Sequence, residues 1–178
     1  IKTFTNNASD YSVSPNGKFI SLIIRGELFV KEADKDKNRT ANLSNHSYRE
    51  TDAVWLNDTT LIFASDRSDN NYDLYMVQSD DRKEPELFKS LKHKIVKLTD
   101  TDEDESSPVV SNNGKQIAYV RGTDVKEFIV ADISAEGKLT NEKILHKGWA
   151  VPSDVKWSPD DKWLAYSMSD LYFNEEVF

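Results

Sequence analysis

Short apolar stretches separated by polar, turn-forming residues run along the whole chain, with a spacing typical of strands. Runs of alternating, β-branched and aromatic residues favour strands over helices, and they recur at 27–30, 73–77 and 127–130. The segment nearest to a helical period, 84–94, contains Pro85 and mixed charges. The pattern therefore predicts an all-β protein with almost no helix.

The strand pattern repeats four times. Ser14-Pro15-Asn16-Gly17-Lys18 has a near copy at residues 158–162, and related turns occur at 111–115 and, in degenerate form, at 56–59. Counted from Ser14, Leu56, Ser111 and Ser158, the spacings are 42, 55 and 47 residues. These lengths fit four-stranded propeller blades. The longest unit contains a charged insertion, 79–86, whose Pro85 opposes a central strand.

Each unit reads as a short first strand, an Asn/Asp/Gly turn that tolerates positive φ, a second and third strand, and a weaker fourth. The fourth strands are expected near 41–44, 95–99 and 143–145. The last unit has only one further strand, 171–173, after its second. The units extend roughly over 8–50, 51–105, 106–150 and 151–178, and together form a single β-propeller segment.

The predicted fold is thus an incomplete ring of about four antiparallel blades with a truncated last blade. Both ends read as cut from a longer polypeptide. Closure as a four-bladed ring would need one more strand, such as 2–4, so we expect an arc of a six- or seven-bladed ring. Open blade faces expose apolar surface, which predicts self-association.

Composition excludes several kinds of partner. The chain has 178 residues, a formal charge of −8 and no run of basic residues that would bind nucleic acid. No stretch approaches the roughly 18 apolar residues of a membrane span. It has no cysteine, which excludes disulfides, thiolate metal sites and cysteine nucleophiles.

Catalytic and metal motifs are not evident in the sequence. There is no Gly-x-Ser-x-Gly elbow and no glycine-rich phosphate loop. His46, His93 and His146 lack a second ligand at local spacing. The segment 66–73 has oxygen donors at alternate positions, but Asn71 and Val77 stand where a calcium loop needs Gly and Glu. A turn is the favoured interpretation there, with a different type of calcium site left open; no cofactor or metal ligand is assigned.

Two features suggest contact with a peptide or protein partner. The acidic run 100–105 lies between two units, and a solvated, self-repelling loop is the favoured interpretation. The functional alternative is an acidic rim, with Asp102, Asp104 and Glu105 as contacts, that attracts basic peptide segments or a cation. Most aromatic residues fall on the strand pattern, where packing between blades explains them. Trp149 lies in a loop and is the first choice for an exposed contact.

The repeats resemble PD40 repeats, which occur in TolB and in tricorn-like peptidases. The motifs are residues 14–18 and 158–162, and Ser65-Asp66-Arg67 leading into Asp73-Leu74-Tyr75. Segments 25–30 and 171–178 are more narrowly similar to the N-terminal propeller of tricorn-like S41 serine peptidases. The second repeat departs from the motif, and Asp161 replaces its glycine, so both turns are expected to be weakened.

This resemblance implies a non-catalytic propeller that guides peptides to a peptidase domain elsewhere in the polypeptide, or that mediates assembly. It also points to export to the periplasm. No catalytic residue of the family has a counterpart in this chain. A TolB-like protein-binding module without a peptidase is the alternative function, and a self-contained enzyme on a small propeller is a third.

Overall fold

The computed structural model describes residues 8–37, 39–44, 46–68, 71–169 and 175–178, and in these ranges it consists of strands and turns without a helix. The described residues therefore contain no helix that could cross a membrane. The strands form four antiparallel sheets. The first contains Ala8–Val13 (β1), Phe19–Ile24 (β2), Glu27–Glu32 (β3) and Thr40–Asn42 (β4); the second contains Glu50–Asn57 (β5), Thr60–Ser68 (β6), Asn71–Ser79 (β7) and His93–Lys97 (β8).

The third sheet contains Glu105–Val110 (β9), Gln116–Arg121 (β10), Lys126–Ile133 (β11) and Leu139–Gly148 (β12). The fourth contains Ser153–Trp157 (β13), Leu164–Ser169 (β14) and Glu175–Val177 (β15). Each sheet is a meander, and the first strands β1, β5, β9 and β13 are neighbours in that order. The sheets are therefore the blades of a propeller, numbered 1 to 4 below.

The propeller is an open arc. β1 and β13 are not in contact, and blade 4 has three strands among the residues described. The predicted all-β fold, with an incomplete ring and a truncated last blade, is confirmed. The expected strand 171–173 and the proposed closing segment 2–4 lie outside the described residues.

The core lies between the blades. Blade 1 packs on blade 2 through Phe19, Ile23 and Leu28 against Trp55 and Phe63. Separate apolar clusters fill the spaces between blades 2 and 3 and between blades 3 and 4. Each inner sheet therefore buries both of its faces, which explains why its second and third strands are apolar almost without alternation.

The long connection between β7 and β8 also contributes to the core. Beyond the charged stretch, Leu87 and Phe88 are buried. The ring of Phe88 lies 5.9 Å from that of Phe19, and the guanidinium of Arg39 lies 4.8 Å above it. The insertion thus covers the outer end of the interface between blades 1 and 2.

The turn between the first and second strands is closed by its own side chains. Ser14 Oγ donates to Asn16 Oδ1 at 2.9 Å and accepts the backbone N–H of Phe19 at 3.0 Å, and Lys18 N–H donates to the same Asn16 oxygen. Ser111 and Asn113 repeat these bonds in blade 3. The glycine that follows has a φ of 70° in blade 1, a conformation that glycine adopts without strain.

The sequence predicts that Asp161, which replaces the glycine of the motif, weakens its turn, but the structure shows it making additional contacts. It adopts a φ of 56°, which aspartate tolerates better than most residues, and its carboxylate accepts the backbone N–H groups of Asn112 and Asn113 at 2.7 and 2.9 Å. Asp58 binds the backbone of Asn16 in the same way at 2.8 Å. The side chains of Asp58 and Asp161 therefore each join their turn to the preceding blade.

A bulge recurs in the first strands. Asp52, Ser107 and Asp154 lie four residues before Leu56, Ser111 and Ser158, respectively, and have φ values of 54°, 55° and 51°. The pairing of each of these strands with its neighbour shifts register there. Bulges of this kind bend a strand and leave one residue unpaired. The Asp52 carboxylate meets the unpaired residue of the next blade, accepting the N–H of Ser107 at 2.9 Å.

Candidate peptide-binding rim

The loops that contain the predicted contact residues lie at one end of the propeller. The connection 98–104 leads into the start of β9, the hairpin 122–125 joins the end of β10 to β11, and 149–152 leads into the start of β13. Because neighbouring strands are antiparallel, these segments meet at the same end of blades 2 to 4. We call the surface formed by 100–104, 122–125 and 149–151 the upper rim.

The acidic loop of the upper rim is held by hydrogen bonds to blade 2. The Asn71 side chain donates to the carbonyl oxygens of Thr101 and Glu103 at 2.8 and 2.9 Å. The Tyr72 backbone N–H donates to Asp104 Oδ1 at 2.8 Å. The loop that the sequence suggested would repel itself is thus anchored at three points.

The same loop is joined to the β10–β11 hairpin of blade 3. Glu103 Oε2 accepts the N–H and the hydroxyl of Thr123 at 3.2 and 3.1 Å. Beside this contact lies a small cavity of about 170 Å³, lined by Glu103, Arg121, Gly122, Val125, Glu127 and Lys147. The rim therefore has a depression bordered by charged side chains.

Glu127 forms ion pairs with two basic side chains in that depression. Its carboxylate binds Lys147 Nζ at 2.7 Å and Arg121 Nη2 at 2.8 Å. The hydrogen bonds from Lys147 and Arg121 lower the pKa of Glu127 below its ordinary value. The three side chains hold one another in place at the base of the segment that leads to Trp149.

The four predicted contact residues differ in their accessibility. Asp102 is exposed and has no hydrogen bond or ion pair within the ranges that the structure describes. Trp149 is 49% exposed. Asp104 is half-buried and holds the backbone of Tyr72. Glu105 is fully buried at the start of β9, so an incoming ligand at the rim would meet Asp102 and Trp149 first.

Glu105 belongs to a buried acidic pair beneath the rim. Its Oε1 accepts the Thr101 hydroxyl at 2.6 Å, and Asp73, also fully buried, binds Lys97 at 3.0 Å. Burial raises the pKa of Glu105, and the nearby charge of Asp73 raises it further. Burial likewise raises the pKa of Asp73, against the opposing effect of Lys97. One oxygen of each carboxyl group has no hydrogen-bond partner among the described residues.

Sequence reasoning missed these buried acids, although a signal was present. Glu50 and Glu105 lie six residues before Leu56 and Ser111, so both begin a first strand. Glu50 is also fully buried, and Arg67 binds it at 2.8 Å while stacking over the ring of Tyr75. A charged residue repeated at the same position of two units would have indicated a structural role for both.

The residues considered as metal ligands from the sequence form no cluster within the described ranges. Within the described ranges there is no group of three His, Cys, Asp or Glu residues that could hold a metal ion. His46 stacks on Tyr48, and a ring nitrogen of His93 lies 3.0 Å from the carbonyl oxygen of Leu87. Part of the oxygen-rich hairpin 66–73 lies outside the described residues.

No family model matches the chain, and no curated protein matches it in sequence. Solved structures do match. A mutant puromycin hydrolase superposes with a TM-score of 0.69 at 14% identity, covering 98% of this chain and 29% of the hydrolase. A putative TolB from Agrobacterium tumefaciens gives 0.67 at 16% identity, covering 94% of this chain and 55% of TolB.

The β-propeller domain of Cps50 (Swd1) from Myceliophthora thermophila gives a TM-score of 0.63 at 10% identity, covering 99% of this chain and 59% of that domain. The chain therefore spans between 29% and 59% of the length of these three structures. Identities this low show the fold alone. By its fold, the chain is a β-propeller similar to parts of a putative TolB and of puromycin hydrolase.

Proposed function

We propose that this chain is a non-catalytic β-propeller segment that binds peptide or protein at its upper rim. In this proposal it guides peptide substrates to, or mediates the assembly of, a serine peptidase of the tricorn-like S41 type. The observation that carries the proposal is an exposed aromatic side chain, Trp149, on the same end of the propeller as the anchored acidic loop with Asp102.

The chemistry of the rim favours basic, extended ligands. Asp102 has no internal partner in the described part of the chain, and Asp100 shares Lys97 with the buried Asp73. An anchored loop loses little conformational freedom when it binds a ligand, so less of the interaction energy is spent on ordering. Trp149 offers a large apolar surface, of the kind enriched at binding hot spots. Arginine or lysine next to an apolar residue would match both features.

The test is a binding measurement with short fluorescently labelled peptides that carry Arg and Lys among apolar residues. We expect fluorescence anisotropy to detect binding that weakens with salt, because screening acts on exposed charges. Combining Asp102→Asn with Trp149→Ala should weaken binding by about tenfold or more. Asp80→Asn, which removes an exposed acid at the opposite end of blade 2, is the matched control and should bind as the unmodified chain does.

Two outcomes would contradict the rim proposal. One is a rim variant whose affinity for the basic peptides equals that of the unmodified chain. The other is equal binding of peptides in which Glu replaces every Arg and Lys, because such binding would not use the acidic loop.

The alternative function is a TolB-like module that recruits a protein partner without any peptidase, and the superposition on TolB supports it. The two functions differ in the rest of the polypeptide. A PDZ-like region and an S41 signature downstream in the open reading frame would support the peptidase role, whereas a stop codon soon after blade 4 would favour the TolB-like module.

A further inference from the structure

The depression on the upper rim is formed by blade 3 and by the acidic loop that enters it from blade 2. Blade 3 has a neighbouring blade on both sides, so the depression does not belong to an uncovered outer face. Its volume of about 170 Å³ lies well below the range of about 300–1,000 Å³ that is usual for small-molecule sites. A depression of this size accepts one side chain of a bound peptide.

The two basic side chains of the depression are already paired with carboxylates. Arg121 binds Glu127 at 2.8 Å and Glu142 at 3.4 Å, and Lys147 binds Glu127 at 2.7 Å. The lowered pKa of Glu127 keeps its carboxylate ionised at neutral pH. An acidic ligand would have to displace these carboxylates from the same two cations, so the depression disfavours acidic side chains.

Glu103 differs from Glu127 because no cation balances its charge. Its Oε2 accepts the N–H and the hydroxyl of Thr123, and both of these donors are neutral. Its Oε1 has no hydrogen bond or ion pair among the residues that the structure describes. Because the Glu103 side chain is exposed, this second oxygen is free to accept a hydrogen bond from a ligand.

The position of the Glu103 carboxylate is fixed before any ligand arrives. The Gly122 N–H donates to the carbonyl oxygen of Asp104 at 2.9 Å, which joins the acidic loop to the β10–β11 hairpin beside the two bonds of Thr123. Asn71 holds the backbone carbonyl of Glu103 from blade 2. An acceptor that is already held in place loses little conformational entropy on binding.

Unbalanced charges around the depression have an excess of acid. Asp102 and Asp124 are exposed and form no hydrogen bond or ion pair within the described ranges. Lys126 is the opposing charge, and its Nζ donates to the neutral carbonyl oxygen of Gly122 at 2.7 Å. With Glu103, three unbalanced acids thus stand against one unbalanced base, and the resulting field attracts cations.

Apolar surface borders the same depression. Val125 lines it and is 53% exposed. Trp149 and Val151 are also about half exposed, on the β12–β13 connection that begins two residues after Lys147. Lysine and arginine pack their aliphatic stems along apolar surface while their charged ends reach a polar partner. The depression offers both kinds of contact.

We propose that the depression is a pocket for one arginine or lysine side chain of a bound peptide, with Glu103 Oε1 accepting a hydrogen bond from its cation and Val125 packing against its stem. Thr123 is a positioning residue, because it acts on the ligand only through Glu103. The inference rests on the proposed binding of peptides at the upper rim. It adds to that function a single position at which the peptide has to be basic.

The test begins with a labelled basic peptide that binds the upper rim and replaces its arginines one at a time by citrulline, an uncharged residue of nearly the same shape. Fluorescence anisotropy measures each affinity at about 0.15 M salt, where exposed charges are largely screened beyond about 8 Å. One replacement should weaken binding by about tenfold, because a hydrogen bond between charged groups is lost. The other replacements should each cost about two- to threefold, as exposed ion pairs do.

Glu103→Gln should abolish the difference between the positions, since the amide keeps an oxygen for Thr123 but carries no charge. Asp124→Asn is the matched control, because it removes one exposed charge from the same rim and should keep one dominant position. Val125→Ser leaves Glu103 unchanged and should weaken the arginine peptide and its citrulline forms by the same factor, because both side chains have the same stem. Circular dichroism confirms that the variants fold.

Failure of the pocket is distinguishable from failure of the proposed function. If no basic peptide binds, both are overturned. If basic peptides bind and the double variant Asp102→Asn, Trp149→Ala weakens them, the rim stands. The pocket is then overturned by equal costs for all arginines, by a Glu103→Gln chain that retains one dominant position, or by a Val125→Ser chain with unchanged affinity.

Discussion

Asp161 Oδ1 accepts the backbone N–H of Asn112 at 2.7 Å, which joins the turn of blade 4 to the turn of blade 3. The Asn112 side chain donates to the same oxygen at 2.7 Å. The backbone of Asp161 is left-handed, with a φ of 56°, which costs energy for any residue with a Cβ atom. The hydrogen bonds across the interface offset this cost and explain why an acid can replace glycine here.

Two substitutions at Asp161 separate the effect of the hydrogen bonds from that of the left-handed backbone. Asp161→Ala removes both acceptor oxygens and keeps the left-handed strain, so we expect the melting temperature to fall by several degrees. Asp161→Asn retains one acceptor oxygen and tolerates the same φ, so its melting temperature should fall less. Differential scanning calorimetry measures both. Equal melting temperatures for the unmodified chain and the alanine variant would show that the contact contributes nothing.

Trp55 joins blades 1 and 2 through both its indole N–H and its apolar ring. The side chain is 5% exposed and its ring lies 6.4 Å from that of Phe19. We expect Trp55→Phe to lower the free energy of unfolding by about 1–3 kcal/mol, because the hydrogen bond to Ser12 is lost and a small cavity is left.

The matched control is Trp163→Phe, measured in dilute protein. Because Trp163 is largely exposed, this change should alter the free energy of unfolding by less than about 0.5 kcal/mol. Chemical denaturation of both variants makes the comparison, and similar losses would mean that the Trp55 interface is not a source of stability.

Gly17 and Gly114 occupy the same position of their turns but differ in their surroundings. Both have φ near 70°, so replacement by alanine costs each about 1–2 kcal/mol. Only Gly114 has a backbone atom, the Leu56 carbonyl oxygen, within 3 Å of an added Cβ. Gly114→Ala should therefore cost about 1–3 kcal/mol more than Gly17→Ala. Equal losses in denaturation would contradict the close approach of blades 2 and 3.

The repeat made the architecture predictable from sequence, but not the contacts that join its units. Strands follow from local alternation, and the turn from its Ser, Asn and Gly residues, which bond within five residues of one another. The link from Asp161 to Asn112 spans 49 residues. Nothing in the local pattern distinguishes an aspartate that binds the preceding blade from one that faces water. The burial of Glu105 was missed for the same reason, because its position within an acidic run suggested exposure.

The buried carboxyl groups make stability depend on pH in a defined direction. Burial raises the pKa values of Glu50, Asp73 and Glu105 in the folded protein. Between the unfolded and the folded pKa, the folded state binds more protons than the unfolded state, so stability falls as pH rises. Each contribution is fully present below the ordinary pKa, which is 4.5 for the two glutamates and 3.8 for Asp73, and is lost as pH rises through the raised folded pKa. The slope is at most about 1.4 kcal/mol per pH unit for each group.

Glu105→Gln should reduce that slope and stabilise the protein near neutral pH, because a neutral amide keeps an acceptor for Thr101 and carries no charge to desolvate. Its NH₂ group would also replace the Glu105 oxygen that has no partner in the described structure. Glu136→Gln, at an exposed turn, is the matched control and should leave the slope unchanged. Urea denaturation at a series of pH values measures the effect. A Glu105→Gln variant that is less stable than the unmodified chain at neutral pH would mean that the carboxylate is favourably bound, and that burial is not its dominant influence.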